Sequence, residues 1–315
     1  MKRLFFGVIG QPIAHSRSPA MHAAAYAALG LPHVYEAMGI EPEEVPGVVQ
    51  RVREGELEGI NVTVPYKRRV LEYVDELDMT AEIVGAANTL VRGPDGQVVA
   101  HNTDMPALAQ ELRHLAGTPT PGSASPRGTA SDRQVGGPWA AANALVLGTG
   151  ATARSAIVAL AYELSVAEIV VRGRAFDDRD ARDRFRAEVG ELLAGSGATS
   201  KLHLEPWKAS AATDKHVTAV VQATSAGMTG ADGGEAAVLA VDWSSLPASA
   251  VALDVVYAPP STPFLQAALA HRLRARSGLG MLARQGAVAF ELWLRTPAPF
   301  EVMLDVLTAA PAPPR

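Results

Sequence analysis

Short apolar runs alternate with amphipathic stretches along most of the chain. Residues 4–9 read as a buried strand, and Ser18-Pro19 then gives a helix start. There Ser18 is able to cap and Pro19 is preset for the first turn, and the helix runs to Leu29 and stops at Gly30. A strand at 34–38, a helix at 45–53 and a strand at 60–64 follow. Residues 86–91 and 98–101 bracket Gly93-Pro94-Asp95-Gly96, the signature of a hairpin.

Residues 105–116 return to a helical period. From 117 to 139 Gly, Pro, Ser and Thr dominate and the apolar period vanishes, which predicts a flexible insertion in a connector. Beyond it the pattern predicts strands at 144–147, 169–172, 217–222 and 251–255. Helices are expected at 153–164, 179–193, 263–273, 280–294 and 300–309, with a frayed tail from Pro311. Strand and helix in this rhythm predict an α/β protein of two domains.

Composition narrows the function classes. Of 315 residues 48% are hydrophobic and 19% charged, a soluble globular profile. A formal net charge of -5 gives no reason to expect nucleic acid or an anionic membrane as partner. The chain has no cysteine, so disulfides, thiolate metal sites and cysteine nucleophiles are excluded, and the 8 histidines show no paired ligand spacing. No metal is expected. The apolar run after Met1-Lys2-Arg3 breaks at Gly10-Gln11-Pro12, too early for a signal peptide, and nothing nears the roughly 18 to 20 apolar residues of a membrane span. The expectation is a cytoplasmic monomer or homodimer acting on a small molecule.

The candidate chemistry falls into two groups. Gly148-Thr149-Gly150-Ala151-Thr152-Ala153 lies between an expected strand and helix. Gly148 allows the bend, Gly150 lets backbone approach a pyrophosphate, and Ala153 packs the helix close to the sheet. At the end of the next strand, Arg172 and Arg174 stand where NADP-type sites place cations, with no acid before Asp177. In the amino-terminal half, Lys67 stands at the expected start of a helix and is the candidate proton donor. Asp104 opens the next helix, where capping and catalysis are compatible. Three polar pairs, Ser16 with Ser18, Asn61 with Thr63 and Asn102 with Asp104, are each two residues apart, so each pair faces one side of extended chain. They read as the rim of a site at strand ends.

These residues also occur as ordered motifs: Ser16-Arg17-Ser18-Pro19, Asn61 to Lys67, Gly85 to Thr89, Asn102-Thr103-Asp104, Ala223 to Met228, Asp254 to Leu265, and Gly280 to Gln285 with Trp293 after it. In this order they closely resemble the shikimate dehydrogenase family, apart from the insertion. Three positions depart from the usual pattern: Met105 and Ala151 replace glycines, and of the Asn-Arg-Thr cofactor signature only Arg172 remains. With the glycine turn, the resemblance implies two α/β domains with the active site in a cleft between them: a substrate domain with a mainly parallel sheet, residues 1–105 plus 286–315, and a Rossmann-like dinucleotide-binding domain, residues 106–285. It implies reversible NADP-linked reduction of 3-dehydroshikimate to shikimate, in aromatic amino-acid biosynthesis. It implies that Ser16 and Ser18 bind the substrate carboxylate, and that Thr63, Asn88, Asp104 and Gln285 hold ring hydroxyls. Tyr257 would approach from the cofactor side, and Lys67 would move the proton with Asp104 orienting it. Thr224, Ser225, Gly280 and Met281 join the glycine turn as cofactor contacts. The alternatives are a quinate/shikimate dehydrogenase using NAD, and a non-catalytic metabolite- or cofactor-sensing relative.

Overall fold

The computed structural model describes residues 1–117, 139 and 141–309, so the expected insertion and tail fall almost wholly outside the described residues. The chain divides into two compact units. One holds residues 1–103 and 282–309, the other the described residues of 104–281.

In the first unit the elements are β1 (Phe5–Gly10), α1 (Ser18–Ala28), β2 (Val34–Gly39), α2 (Val45–Glu54) and β3 (Gly59–Val62). Then come β4 (Glu76–Leu77), α3 (Met79–Val84), β5 (Thr89–Arg92) and β6 (Val98–His101). The strands form one six-stranded sheet in the order β2-β1-β3-β5-β6-β4. It is mixed: β1 runs parallel to β2 and β3, whereas β5 is antiparallel to β3 and β6. On α2 the buried residues Val45, Val48, Val49 and Val52 recur at helical spacing. They pack with Ile9, Ile60, Val62 and Leu90 of the sheet. Phe6, of opposite parity to Ile9 along β1, joins an aromatic cluster with Tyr26 and Trp293 instead. Trp293 Nε1 donates to Leu90 O at 2.9 Å.

The second unit contains α4 (Asp104–Ala116), β7 (Asn143–Leu147), α5 (Ala151–Val158), β8 (Glu168–Gly173), α6 (Arg179–Ser196) and β9 (Lys201–Pro206). It continues with α7 (Ala211–Asp214), β10 (Val217–Gln222), α8 (Glu235–Leu239), β11 (Val251–Asp254), α9 (Pro263–Ala270) and β12 (Arg274–Arg276). Its sheet is parallel throughout, in the order β12-β11-β10-β7-β8-β9. Counted along the chain, that is the doubly wound dinucleotide-binding order, with its switch point between β7 and β10. Leu145, Leu147, Val220, Ala252, Trp243 and Phe264 fill its core. The chain then runs into α10 (Leu279–Leu294) and α11 (Phe300–Thr308).

Several sequence expectations are corrected. The helix expected at 263–273 ends at Ala270, because Arg272 takes φ 62 and the chain turns into β12. The edge strands β9 and β12 carry alternating charge, which blunts an edge and hides it from an apolar-run search. Ser18 is the first residue of α1 and makes no side-chain cap; Arg17 holds that place. Lys67 lies in a turn that leads only to a short 3-10 segment, Arg69–Glu72, so no α-helix begins there. Among the described residues, no helix is long and apolar enough to cross a membrane.

Candidate active site

In the first unit the site is assembled by strand register. Asn61 of β3 stands opposite Thr89 of β5, and Thr89 stands opposite His101 of β6. The carboxyl ends of β3 and β6 and the amino end of β5 therefore share one end of the sheet. The carboxyl end of β1 joins them, since Thr63 N donates to Ile9 O at 2.9 Å. This is the end at which open α/β sheets bind ligands.

Asn88 is the hub there. Its Nδ2 donates to Thr103 Oγ1 at 2.9 Å and to Gln285 Oε1 at 3.3 Å, and its Oδ1 accepts from Thr103 N at 2.7 Å. Gln285, from α10, also donates to Leu282 O at 2.9 Å. Lys67 is buried, and its carbonyl accepts from Ala87 N at 2.7 Å, which ties the lysine turn to the segment leading into Asn88. Thr63 packs on Gly10, where a side chain would collide with its methyl group. Ser16 and Ser18 sit in the connection leaving β1, with Ser18 N donating to Ser16 Oγ at 3.3 Å. The structure thus places Ser16, Ser18, Thr63, Lys67, Asn88 and Gln285 in one unit. Asp104 follows Thr103 in the chain, buried as the first residue of α4.

The other members of the polar pairs do different work. Asn61 accepts from Tyr35 Oη at 2.7 Å and donates to Thr89 Oγ1 and Asn88 O. Asn102 Nδ2 donates to Ala86 O at 2.8 Å. Both are buried brackets that hold the loops carrying the site. Beneath them His22 stacks on the Tyr35 ring at 4.2 Å, and neither of its ring nitrogens has a hydrogen-bond partner. Burial lowers its pKa to about 3, so the imidazole is neutral.

In the second unit the glycine turn leaves β7 at the switch point. Gly148 has φ +118, and a Cβ there would meet Thr224 Cγ2 at 2.8 Å, so only glycine fits. Gly150 has open space where a Cβ would stand and precedes α5, whose first residues are Ala151, Thr152 and the fully buried Ala153. Open space beside a helix N-terminus fits a pyrophosphate. After β10, Gln222 Oε1 accepts from Thr224 N at 2.6 Å and from Thr224 Oγ1 at 2.7 Å, while Ser225 is exposed. The threonine hydroxyl is thereby committed to its own turn. Gly280 opens α10 against Glu111, whose carboxylate would lie 2.5 Å from an added Cβ, and Met281 beside it is buried.

Past β11, Asp254 accepts from Val256 N at 2.9 Å and from Thr262 Oγ1 at 2.5 Å. Burial raises its pKa to about 6 against those bonds. Three residues on is Tyr257, half-buried in the same loop.

Arg172 requires a correction. Its side chain is fully buried and bonds Asp214 through both terminal nitrogens, at 2.7 and 3.1 Å, with further bonds to Glu205 and to Ala240 O. A guanidinium neutralised in the core cannot meet a nucleotide phosphate at the surface. Sequence alone could not separate an arginine at a strand end from one folded back beneath it. Arg174 is exposed, paired with Asp232 at 2.7 Å and lying over the Trp207 ring at 5.4 Å. A pocket of about 200 Å³ opens beside the glycine turn, lined by Thr149, Ala175, Phe176 and, among others, Arg154 and Arg184. Arg154 is held to Glu188 at 2.6 Å, whereas Arg184 is an exposed cation on α6 that belongs to none of the sequence motifs. Among the described residues, no three His, Asp or Glu side chains converge as a metal would require.

A family model described as the shikimate dehydrogenase substrate binding domain matches residues 8–90, and one for the shikimate 5'-dehydrogenase C-terminal domain matches residues 278–308. A shikimate dehydrogenase (NADP(+)) of Methylobacterium radiotolerans is 37% identical over 286 residues, 91% of this chain and 89% of that protein. Its counterpart from Methanopyrus kandleri is 35% identical over 96% of this chain and 93% of its own. Among solved structures, shikimate 5-dehydrogenase from Thermus thermophilus, in complex with NADP(H) and shikimate, superposes with a TM-score of 0.72. It is 30% identical, over 96% of this chain and 98% of that one.

Proposed function

The chain belongs to the shikimate dehydrogenase family, and from that premise we propose that it catalyses the reversible, NADP-linked reduction of 3-dehydroshikimate to shikimate. The observation that carries this reading is the gathering of Thr63, Lys67, Asn88 and Gln285 at one sheet end in the first unit. The second unit supplies the glycine turn at a topological switch point.

When bound, NADPH supplies the hydride. Backbone at Gly150 and the first turn of α5 would hold its pyrophosphate, and Thr149 lines the adjoining pocket. With Arg172 held in the core, Arg184 of the pocket lining and the exposed Arg174 would meet the adenosine phosphate. Lys67 Nζ gives its proton to the ketone oxygen as that oxygen becomes a hydroxyl, and takes it back in the reverse direction. Ser16 and Ser18 take the substrate carboxylate, while Thr63, Asn88 and Gln285 bind ring hydroxyls. Asn88 is well suited to this, because Thr103 and Gln285 fix its amide orientation. Asp104 and Tyr257 are assigned to the substrate by their places in the matching motifs.

The burial of Arg172 favours a second reading of cofactor choice, in which NAD is used alongside NADP. Initial rates of nicotinamide reduction, crossing shikimate and quinate with NADP and NAD, test both readings. Turnover with shikimate and NADP alone is the expected result. Comparable rates with NAD support the second reading, and absence of turnover in every combination overturns both.

A further inference from the structure

Arg17, between the two serines, reaches the far end of the chain. Its Nη1 donates to Leu307 O at 2.5 Å, and its Nη2 donates to Val306 O at 3.0 Å and to Ala309 O at 3.4 Å. Val306 and Leu307 lie in the last turn of α11 and Ala309 is its C-cap, the end at which a helix runs out of its own donors. A cation there also complements the helix dipole. The Arg17 carbonyl, meanwhile, accepts from Met21 N at 3.2 Å as α1 begins. One residue therefore fixes the start of α1 and the end of α11 together, and the chain on either side of it is Ser16 and Ser18. The underside of α11 is locked as well: Met303 and Leu307 are buried, and Arg284 of α10 lies over Phe300 at 5.0 Å.

We propose that Arg17 is a positioning residue for carboxylate recognition, clamping the serine loop to the end of the last helix so that Ser16 and Ser18 address one anion together. The proposal rests on the reading that those serines bind the substrate carboxylate. A guanidinium is needed because one planar group must reach three carbonyls, and an ammonium satisfies fewer at this spacing. Since both terminal amino groups are spent on backbone carbonyls, Arg17 acts through the serines and not on the substrate itself.

The test is steady-state kinetics of Arg17→Met, which keeps the aliphatic stem, and of Arg17→Lys, alongside Ser16→Ala and Ser18→Ala. Two substrates are compared, shikimate and its analogue with the carboxylate replaced by hydroxymethyl. The expected result is a KM for shikimate raised about tenfold in Arg17→Met, the scale of one hydrogen bond to an anion. Arg17→Lys should recover part of it, and KM for NADP and for the neutral analogue should hold steady. If Arg17→Met changes KM for both substrates alike, or only lowers the melting temperature, the clamp is merely structural and the proposal falls. Should Arg17→Met fail to fold, the same comparison in Arg17→Lys decides. If the serine variants leave KM for shikimate unchanged, the carboxylate reading fails first and takes the proposal with it. If they raise it and neither Arg17 variant does, only the positioning role fails.

Discussion

Arg172 and Asp214 form an ion pair at 2.7 Å with both side chains fully buried. Asp214 also accepts from Asp242 N at 2.7 Å, so the pair joins the end of β8, helix α7 and the segment after α8. Removing one partner strands the other charge in the core, a loss of about 3–5 kcal/mol. Arg172→Ala and Asp214→Ala should each lower the unfolding free energy read from urea denaturation by that amount, and the double variant should lose less than the sum. For Arg172→Met that still folds, the ratio of NADP to NAD turnover should stay that of the wild type. A selective rise in KM for NADP would return Arg172 to the cofactor.

Cofactor choice should instead follow the exposed cations. Arg184 lines the pocket beside Thr149, and Arg174, which precedes the pocket's Ala175 in the chain, leans on Trp207. Arg184→Glu and Arg174→Glu are expected to raise KM for NADP about tenfold or more, while KM for NAD changes little. That corresponds to the loss of roughly 1.5–3 kcal/mol in a bond between charged groups. Equal effects on the two cofactors would show that neither arginine reads the extra phosphate.

Lys67 is the proton donor in the proposed reaction, and its replacement tests that role directly. Lys67→Met should lower kcat about a hundredfold to ten-thousandfold, with the binding of shikimate and NADP largely kept. Isothermal titration separates the two effects. Near-wild-type turnover in a folded Lys67→Met protein would remove Lys67 from the chemistry.

Gly148 is fixed by conformation and by space at once. Its φ of +118 strains any side chain, and a Cβ would press on Thr224 Cγ2 at 2.8 Å. Gly148→Ala should cost about 1–3 kcal/mol and weaken both dinucleotides alike, since the turn itself moves. Gly150→Ala meets open space and should fold normally, so its effect should appear in cofactor affinity alone. Equal melting temperatures for Gly148→Ala and wild type would contradict the steric account.

Much of this was legible in the sequence because it depends on local pattern. The apolar run before Gly148 and the valines of α2 marked their elements through spacing that tertiary structure did not override. What stayed hidden depends on where a side chain turns after its backbone is placed. Arg172 is followed by glycine at a strand end, and nothing in that pattern says that Asp214, 42 residues on, folds beneath it. Asn61 and Asn102 matched a site rim by spacing, but both brace backbone, because buried carbonyls near a site also need donors. The role of Arg17 is hidden for the same reason, since its partners lie 289 to 292 residues away.

The two units should respond to acid in opposite directions. In the first, burial holds His22 near a pKa of about 3, against 6.5 in an exposed chain. As pH falls from 6.5 toward 3 the unfolded state takes a proton that the folded state refuses, and stability drops by about 1.4 kcal/mol per pH unit. In the second, burial raises Asp254 from 3.8 to about 6. Between those values the folded state keeps a proton that the unfolded state has lost, so this contribution is fully present below 3.8 and is lost as pH rises through 6. Between pH 4 and 6 the two terms therefore oppose each other. His22→Phe removes the first term and an imidazole with no hydrogen-bond partner, so relative to wild type it should gain stability as pH falls from 6.5 to 4. Asp254→Asn removes the second and should gain relative to wild type as pH rises from 4 to 7. Melting temperatures of the three proteins across pH 4 to 7.5 read both slopes. Parallel curves for His22→Phe and wild type would mean that the imidazole takes up its proton as readily in the folded protein as in the unfolded one, contrary to its buried, unpartnered setting.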